Sequence, residues 1–438
     1  VIMIMRKHIS KRSQPCLESA TVNDLDELNE AVERERAEIA AANPKSAALY
    51  DEAAAFPGGS TRSVLYYPPF PLSIVKGEKS KIWDADGHEY TDFLNEYSAG
   101  LFGHSNPAIK RAILAALEDG ISLGGPNRFE AQLANCLTKR FAAMERIRFC
   151  NTGTEANIAA LQLALHITRR DKVLFFKGGY HGGFIWFPEK RMPLNINFNE
   201  VISPFNDEAA LEAVLGLHGD RLGACIVEPV MSAGGAIPAD RSFLAKLKER
   251  CDHHGIILIF DEVVSSRLDV GGMQAVHGIY PDITTLGKYI GGGLSFGAFG
   301  GKAELIDRMD MRRPNAVPHA GTFNNNVLSM AAGLAAASVL TPEAIARINA
   351  LGDFFRREFA GISPDQSKMS ASGFGSLSCV HFASKQLHDL FHLHLLRSGY
   401  YTARRGSVYL SLETTGEEVS GLLRASKAFV ERFGSYFR

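Results

Sequence analysis

The sequence predicts an α/β protein, with a mostly parallel sheet in a large domain and a smaller α+β domain built from both chain ends. The chain has 438 residues, which exceeds the size at which one hydrophobic core usually keeps growing. From about residue 105 to 340, short apolar runs alternate with Ala- and Leu-rich helical stretches. That alternation is typical of a parallel sheet with helices on both faces.

The two chain ends show other patterns, from which domain boundaries are predicted. A Glu-, Ala- and Leu-rich helix is expected from about residue 24 to 55; a Pro-Gly-Gly turn ends it, and short strands and hairpins follow. After Thr341 a helix leads into mixed strands and a final helix. The predicted segments are 1–23 (disordered extension), 24–95 (first part of the small domain), 96–340 (large domain) and 341–438 (second part of the small domain).

Composition and charge exclude several classes of protein. The formal net charge is −1, so the chain lacks the basic field that attracts nucleic acid or anionic lipid. No window approaches the roughly 20 apolar residues of a membrane span, and the apolar run at the N-terminus is too short for a secretory signal. The six cysteines include no C-x-x-C pair, which argues against a disulfide framework or a metal site. We therefore expect a cytoplasmic protein without nucleic acid, membrane or metal partners.

The candidate chemistry lies where the predicted buried strands end. These strands are RIRFC, KVLFF, ACIVEP and GIILIFDE. In open parallel sheets, ligands bind beyond the carboxyl ends of the strands, so the residues that follow each run matter most.

Glycine-bearing turns follow the first two of these strands. Gly153 and Thr154 open a helix after RIRFC, where free backbone N–H groups and a hydroxyl suit a phosphate group, although an ordinary helix cap has the same pattern. Tyr180, in GGYHGG after KVLFF, offers a flat ring for stacking, although a structural turn would have the same pattern. We interpret His181 in that turn as structural.

Two charged residues complete the candidate set. Asp261 ends an apolar strand, where a carboxylate either caps a helix or meets a cation such as a protonated pyridine nitrogen. Lys288 precedes a glycine-rich turn, where its amine either lies in solvent or points inward as a Schiff-base former and general base. A phosphate cradle, a ring stacker, a pyridinium partner and an aldehyde anchor together describe a site for pyridoxal 5′-phosphate.

These stretches resemble the class III (fold-type I) pyridoxal-phosphate aminotransferases. The resemblance extends from about residue 45 to the end, and the motifs that carry it are NTGTEAN, GGYHG, VEP, FDEVVSSR, TTLGKYIGGG and GTFNNN. It implies these roles: Gly153 and Thr154 hold the cofactor phosphate, Tyr180 and Val263 pack on the two faces of its ring, Asp261 pairs with the ring nitrogen, Lys288 forms the Schiff base, and Glu228 supports the site. It also implies a homodimer with shared active sites, in which Thr322 reaches the phosphate of the neighbouring subunit.

Within this class the sequence is similar to aromatic β-amino-acid transaminases and to glutamate-1-semialdehyde aminomutases. GGSTR, which contains Arg62, and FNNN favour the transaminases, and the stretch after YHG lacks the histidine-rich continuation expected of the aminomutases. By this resemblance Arg62 binds the carboxylate of a β-amino acid, and Arg405 binds the α-carboxylate of 2-oxoglutarate or pyruvate. Two alternatives stay open: Arg404 takes the role of Arg405, or the arginines form salt bridges.

The predicted function is transfer of an amino group from an aromatic or apolar β-amino acid to 2-oxoglutarate or pyruvate, through a pyridoxamine phosphate form of the cofactor. The nearest alternatives are an aminomutase, which needs no second acid, and a class III transaminase for other amines. A nicotinamide oxidoreductase is disfavoured because no G-x-G-x-x-G follows a strand. A non-catalytic cofactor-binding regulator is disfavoured because Lys288 and Asp261 are both present. Aromatic residues near the predicted pocket indicate an apolar substrate or else core packing: Tyr66, Tyr67, Phe184 and Trp186.

Overall fold

The computed structural model describes residues 22–363 and 365–437. The extension predicted at 1–23 lies outside this range except for its last two residues, which begin the first helix. Within the described residues, the α-helices are α1 (Val22–Ala42), α2 (Pro44–Glu52), α3 (Pro107–Glu118), α4 (Arg128–Arg140), α5 (Gly153–Thr168), α6 (Glu208–His218), α7 (Arg241–His254), α8 (Gly272–His277), α9 (Ala303–Ile306), α10 (Val327–Val339), α11 (Pro342–Ile362), α12 (Lys385–Arg397) and α13 (Gly416–Phe433).

The β-strands of the same ranges form four sheets. They are β1 (Ile74–Glu78), β2 (Lys81–Asp84), β3 (Glu89–Asp92), β4 (Arg146–Cys150), β5 (Lys172–Phe176), β6 (Glu200–Ser203), β7 (Leu222–Val227), β8 (Val230–Met231), β9 (Ile237–Pro238), β10 (Ile257–Asp261), β11 (Ile283–Gly287), β12 (Gly297–Gly301), β13 (Met369–Phe374), β14 (Leu377–Phe382), β15 (Tyr400–Tyr401) and β16 (Ser407–Tyr409).

The largest sheet is mostly parallel, which confirms the predicted fold class. Its strand order is β4-β12-β11-β10-β7-β5-β6. β12 runs antiparallel to both of its neighbours, β11 and β4, and the other pairs in this sheet are parallel. β4, β5, β7, β10 and β11 therefore point the same way, so the residues that follow them meet at one edge.

Helices cover both faces of this sheet, and the alternation of side chains along each strand decides which face a residue joins. Phe175 and Ile259 pack with Leu161 of α5 on one face. Leu174 and Leu258 pack with helices α6 and α7 on the other. Because both faces are buried, β7 and β10 are apolar along nearly their whole length, as continuous runs rather than as an alternating pattern.

Both ends of the chain contribute to a second hydrophobic core. β15 pairs in parallel with β3, so a strand from near residue 400 completes a sheet of order β1-β2-β3-β15. The surrounding core contains Leu28 and Phe93 from the first part of the chain and Phe391 and Phe429 from the last part. We propose that this core is the smaller domain predicted from residues 24–95 and 341–438.

The single helix expected from residue 24 to about 55 is in fact two helices. Asn43 leaves the helical region at φ −126° and ψ 54°, between α1 and α2. Pro44 is the cause, because its ring disfavours helical backbone in the preceding residue and it lacks the N–H of a continuous helix. The Asn43 side-chain amide donates to the carbonyl of Ile39 at 2.8 Å and so pairs one of the last carbonyls of α1.

A membrane span requires a helix that is both long and apolar. None of the helices in the described ranges meets both criteria alone. The bent pair α10 and α11, which meet at 78°, meets them jointly by length and composition.

Candidate active site

The edge of the large sheet where the parallel strands end borders a cavity of about 470 Å³. The predicted site residues that line it are Arg62, Gly153, Thr154, Tyr180, Glu228, Asp261, Val263, Lys288 and Arg405. Thr322 lies elsewhere, in the wall of a separate cavity of about 920 Å³. A single chain thus brings together every predicted site residue except Thr322, the one expected to act on a neighbouring subunit.

The start of α5 forms one end of the cavity. The Thr152 hydroxyl caps this helix by accepting a hydrogen bond from the Glu155 N–H at 3.0 Å. The N–H groups of Gly153 and Thr154 have no partner among the described residues, and neither has the Thr154 hydroxyl. Unpaired donors at a helix N-terminus attract an anion, so this end suits a phosphate group.

Glycines keep the phosphate end compact. A Cβ on Gly153 would lie 2.8 Å from the Cγ2 of Val263. Gly182, at φ +122°, brings its loop so close to α5 that a Cβ there would lie 2.2 Å from the Thr154 hydroxyl oxygen. Side chains at these positions would therefore displace the groups that line the cavity.

Asp261 is a buried carboxylate held by three donors. Its Oδ2 accepts hydrogen bonds at 2.8 Å from the Asn157 side-chain amide and from Nδ1 of His181. Its Oδ1 accepts a hydrogen bond from the Val263 N–H at 3.1 Å. These bonds fix the carboxylate at the end of β10, where a cationic ring nitrogen would complete its neutralisation.

Glu228 is buried beside Tyr180 and holds its backbone. Its carboxylate accepts hydrogen bonds from the Tyr180 N–H at 2.9 Å and from the Ser232 hydroxyl at 2.9 Å. Burial raises the pKa of Glu228 to about 7, against the lowering effects of His181 and of the backbone N–H groups of Tyr180 and Ser232, while the charge of Asp261 adds to the rise. The sequence marked Glu228 only as a support residue, and its contact with the Tyr180 backbone gives that support a physical form.

Lys288 follows β11 directly and adopts a left-handed backbone conformation at φ 53°. Its Nζ donates no hydrogen bond to any of the described residues. Loss of water lowers the pKa of Lys288 below its usual range, the charge of Asp261 opposes this, and the charge of Arg62 adds to it. An amine with a lowered pKa and no partner is suited to attack a carbonyl group and to move protons.

Arg62 and Arg405 approach the same tyrosine in the wall of the cavity. The guanidinium carbon of Arg62 lies 5.6 Å from the ring centroid of Tyr97, and that of Arg405 lies 5.9 Å from it. Arg62 also forms an ion pair with Glu96. Arg405 forms no ion pair with a carboxylate of the described residues, so its charge is available to a ligand.

The structure separates Arg404 from its neighbour. Arg404 donates from Nε and Nη2 to the two carboxylate oxygens of Asp389, at 2.7 and 2.9 Å. Asp389 is buried, and Arg404 is absent from the cavity wall. The geometry therefore favours Arg405 as the carboxylate-binding residue, and Arg404 as the salt-bridge residue.

Sequence reasoning missed Asn157 and Tyr97 and treated His181 as structural. Asn157 lies one helical turn after Gly153, and this spacing in NTGTEAN was the available signal for a residue facing the same site. His181 is almost fully buried, and only the fold shows that it meets Asp261, which is 80 residues away in sequence. Tyr97 carried no recognisable signal, because its position depends on a left-handed turn that residue preferences disfavour.

The four aromatic residues considered from sequence do not line the cavity around Lys288. Tyr67 is buried in the small-domain core, where its hydroxyl accepts a hydrogen bond from the Leu72 N–H at 2.9 Å. Trp186 packs edge-on against Tyr180, with ring centroids 5.9 Å apart. The apolar part of the cavity wall instead comes from other side chains, namely Val64, Tyr97, Val264, Leu294, Phe296 and Tyr409.

The residues of this cavity fit pyridoxal 5′-phosphate. Unpaired donors lie at the phosphate end, an anchored carboxylate lies at the end of β10, and the unpartnered amine of Lys288 faces the same space. The glycine at position 153 leaves room that a side chain would fill. Among the described residues, no group of three or more His, Cys, Asp or Glu side chains has the arrangement of a metal site.

Comparison with known proteins identifies the family of this chain. The fold and the lysine site define a fold-type I pyridoxal-phosphate transferase. The aminotransferase class-III family model matches residues 65–187 and 188–413. The chain therefore belongs to the class-III aminotransferases, and it is a pyridoxal-phosphate-dependent aminotransferase whose cofactor is pyridoxal 5′-phosphate.

Two relatives and one solved structure illustrate this similarity. A β-phenylalanine transaminase of Variovorax paradoxus is 41% identical over 410 residues, or 90% of this chain and 94% of that protein. A solved β-phenylalanine aminotransferase structure from Variovorax paradoxus has a TM-score of 0.90 at 40% identity, covering 93% of this chain and 98% of that one. A glutamate-1-semialdehyde 2,1-aminomutase of Methanosphaera stadtmanae is 35% identical over 360 residues, or 79% of this chain and 85% of that protein.

Proposed function

We propose that the chain transfers the amino group of an aromatic or apolar β-amino acid to 2-oxoglutarate or pyruvate. The observation that carries this proposal is the pair Arg62 and Arg405, which line the cavity of Lys288 and approach one ring, that of Tyr97. A planar guanidinium binds a carboxylate through paired, charge-assisted hydrogen bonds. Two such groups in one cavity suit an enzyme that accepts two acids in turn.

Two anchors are needed because the two acids differ in length. In a β-amino acid the carboxylate lies one carbon further from the reacting amine than in an α-amino or 2-oxo acid. We assign the β-amino acid carboxylate to Arg62 and the α-carboxylate of the acceptor to Arg405. The 41% identical β-phenylalanine transaminase supports this choice of substrate class, and the apolar wall residues support an apolar side chain.

Different residues of the chain then carry out different parts of the reaction. When bound, the cofactor supplies an electron sink that stabilises negative charge on the substrate carbon. In the first half-reaction Nζ of Lys288 takes the proton from the carbon that bears the amino group and passes it to the cofactor. In the second half-reaction it moves a proton the other way, onto the carbon of the acceptor. Asp261 keeps a positive charge on the ring nitrogen, and Asn157 and His181 keep Asp261 in position. Gly153 and Thr154 bind the phosphate through the unpaired groups at the start of α5.

A second candidate is a glutamate-1-semialdehyde-type aminomutase, which the 35% identical relative favours. That reaction moves the amino group within one molecule and consumes no second acid. The presence of two carboxylate anchors, Arg62 and Arg405, favours the transaminase, because a transaminase accepts two acids in turn.

Amino transfer to 2-oxoglutarate and to pyruvate, measured with a panel of α-, β- and ω-amines, tests the proposal. We expect ping-pong kinetics and the highest kcat/KM with an aromatic β-amino acid. Lys288→Ala should lower turnover by at least about 10³-fold, whereas Lys302→Ala, which removes a lysine paired with Asp282 at 2.6 Å, should not. Turnover of glutamate-1-semialdehyde without any 2-oxo acid would instead identify the aminomutase.

We also propose that the enzyme is a homodimer, in which Thr322 of one subunit reaches the phosphate bound by the other. Thr322 lies in the wall of a large cavity of its own chain, apart from Lys288. Sedimentation should give twice the 47.7 kDa of one chain, and Thr322→Val should weaken cofactor binding without dissociating the dimer. A cytoplasmic location stays a prediction from the sequence.

A further inference from the structure

We infer that Glu96 acts as the internal counter-ion of Arg62 and is displaced when a substrate carboxylate binds. Glu96 would thereby set how strongly a ligand must bind Arg62 in order to displace it, and so act as a specificity-determining residue. This inference rests on the proposed function, since it assumes that Arg62 binds a substrate carboxylate.

The two anchoring arginines differ in one respect that the proposed reaction does not explain. Nη1 of Arg62 donates to Oε1 of Glu96. Arg405, at a similar distance from Tyr97, has no carboxylate partner among the described residues. The Arg405 anchor is therefore open in the resting protein, and the Arg62 anchor is already occupied by a carboxylate of the chain.

The backbone around Glu96 indicates that its position is specified by the fold. Four consecutive non-glycine residues, Asn95 to Ser98, have φ values of 45°, 50°, 50° and 81°. Such left-handed residues are costly and persist only where surrounding contacts hold them, most often at functional sites. Here the Asn95 amide donates to the Asp92 carbonyl at 3.0 Å and the Tyr97 hydroxyl donates to the Val64 carbonyl at 3.1 Å.

This left-handed turn places two adjacent side chains on the arginines. The carboxylate of Glu96 meets Arg62, and the ring of Tyr97 lies beside both guanidinium groups. A right-handed backbone would direct these two side chains elsewhere. The conformational free-energy cost of the turn is therefore explained by the two side chains, Glu96 and Tyr97, that it places beside the arginines.

A displaced Glu96 side chain has space to enter. A cavity of about 370 Å³ is lined by Glu96 itself, by the polar residues Ser60 and His104, and by apolar residues such as Leu65 and Leu94. Glu96 thus lies beside this cavity, while Arg62 lies in the wall of the cofactor cavity. Because the Glu96 side chain is 55% exposed, its carboxylate can leave the guanidinium and remain in water.

The strength of the ion pair suits an exchange. The side chains of Arg62 and Glu96 are 38% and 55% exposed, so water screens their attraction. Exposed pairs of this kind contribute little net free energy, and an incoming carboxylate can replace Glu96. An amine without a carboxylate leaves the pair intact and does not compete with Glu96, so Glu96 weakens the binding of acids at Arg62 without affecting simple amines.

Binding of 3-phenylpropanoate, which has the β-amino acid skeleton but no amine to react, tests the inference by calorimetry on the holoenzyme. We expect Glu96→Gln to lower the Kd of this acid about two- to fivefold, which is the range for loss of an exposed competing pair. Glu96→Asp keeps the charge and should bind close to the wild type. The matched control is Glu417→Gln, which removes an exposed carboxylate paired with Arg424 at 2.8 Å on α13, and it should change nothing.

Two further measurements make the outcomes decisive. An aromatic amine without a carboxylate, such as α-methylbenzylamine, should show the same KM with Glu96→Gln as with the wild type. If Arg62→Gln weakens 3-phenylpropanoate but Glu96→Gln leaves its Kd unchanged or raises it, the counter-ion role is wrong and the proposed function stands. If Arg62→Gln itself leaves the Kd of this acid unchanged, the assignment of the β-amino acid carboxylate to Arg62 fails, and the inference fails with it.

Discussion

At the scale of single residues, the environment of each side chain separates groups that the sequence leaves equivalent. Arg404 and Arg405 are adjacent, identical and both near the predicted carboxylate site. One is held by both oxygens of Asp389 and the other lies in the cavity wall beside Tyr97. Their distinct partners give them distinct expected roles.

Replacing each arginine by alanine should therefore have different results. Arg405→Ala should raise the KM for the 2-oxo acid about 10- to 100-fold, because a charge-assisted hydrogen bond is lost, with little change in the free energy of unfolding. Arg404→Ala should lower that free energy by about 1–3 kcal/mol, because it leaves the buried Asp389 with fewer donors, and should change KM less. Steady-state kinetics and urea unfolding of both variants provide the measurement. A large KM effect from Arg404→Ala alone would reverse the assignment.

Glu228 should make stability depend on pH. Its pKa in the folded protein is raised to about 7 from an ordinary 4.5, so the native state holds a proton that the unfolded state has released. Its contribution to stability is full below about pH 4.5 and is lost as the pH rises through 7. Glu228→Gln removes this titration, so the wild type should lose at most about 3 kcal/mol relative to the variant between pH 5 and pH 9.

Urea unfolding of the two proteins at several pH values measures this difference. The matched control is Glu417→Gln, whose side chain is 81% exposed and should follow the wild type. Parallel stability curves for the wild type and Glu228→Gln would contradict the prediction.

At the scale of elements, the ends of the parallel strands determine where chemistry is possible. β4, β5, β7, β10 and β11 deliver their following residues to one edge. The order of motifs along the chain therefore predicts a shared site at this edge. The alternation of residues along β5 and β10 sends the remaining side chains into the two layers of core.

The contact between α5 and the turn after β10 gives a testable consequence. Gly153→Ala would place a Cβ 2.8 Å from Val263, so the helix start or the valine must move, and both line the cofactor cavity. We expect the Kd of pyridoxal 5′-phosphate to rise about tenfold, within the usual cost of overpacking. Gly183→Ala is the matched control, since a Cβ there meets nothing within 4 Å. Equal cofactor affinity in the two variants, measured by absorbance titration, would contradict the steric argument.

At the scale of the whole molecule, one core joins the two ends of the chain and carries parts of the carboxylate site. Phe93 and Tyr401 belong to this core, while the turn at Asn95–Ser98 and Arg405 follow them closely in sequence. The proposed anchor Arg405 and the turn that meets Arg62 thus follow residues of the small-domain core, whereas Lys288 follows a strand of the large sheet. Substrate binding as proposed above would depend on both.

Phe429→Ala tests the importance of this core. Phe429 is fully buried, with ring centroids 5.1 Å from those of Phe391 and Phe433. Its truncation should lower the free energy of unfolding by about 3–5 kcal/mol. Leu217→Ala, at a side chain that is 76% exposed, should change it by less than about 0.5 kcal/mol. A loss below about 1 kcal/mol for Phe429→Ala would show that the chain ends do not share one cooperative core.

The sequence by itself determined the fold class, the cofactor and the residues around Lys288. It could do so because strand periodicity and strand-end motifs are local patterns. Parallel strands end at the same edge of a sheet, so the motifs that follow them lie close together. It also brought Arg62 and Arg405 into consideration, but it did not separate Arg405 from Arg404.

Only the tertiary structure distinguished Arg405 from Arg404. It also determined the hydrogen-bond partners of Asp261 and Glu228 and the ion pair between Arg62 and Glu96. Arg404 differs from Arg405 through Asp389, a residue 15 positions away on α12. Asp261 meets His181 across 80 residues, and Arg62 meets Glu96 across 34 residues, through a left-handed turn of non-glycine residues. Such contacts depend on long-range packing and on a backbone conformation that residue preferences disfavour, so no local pattern encodes them.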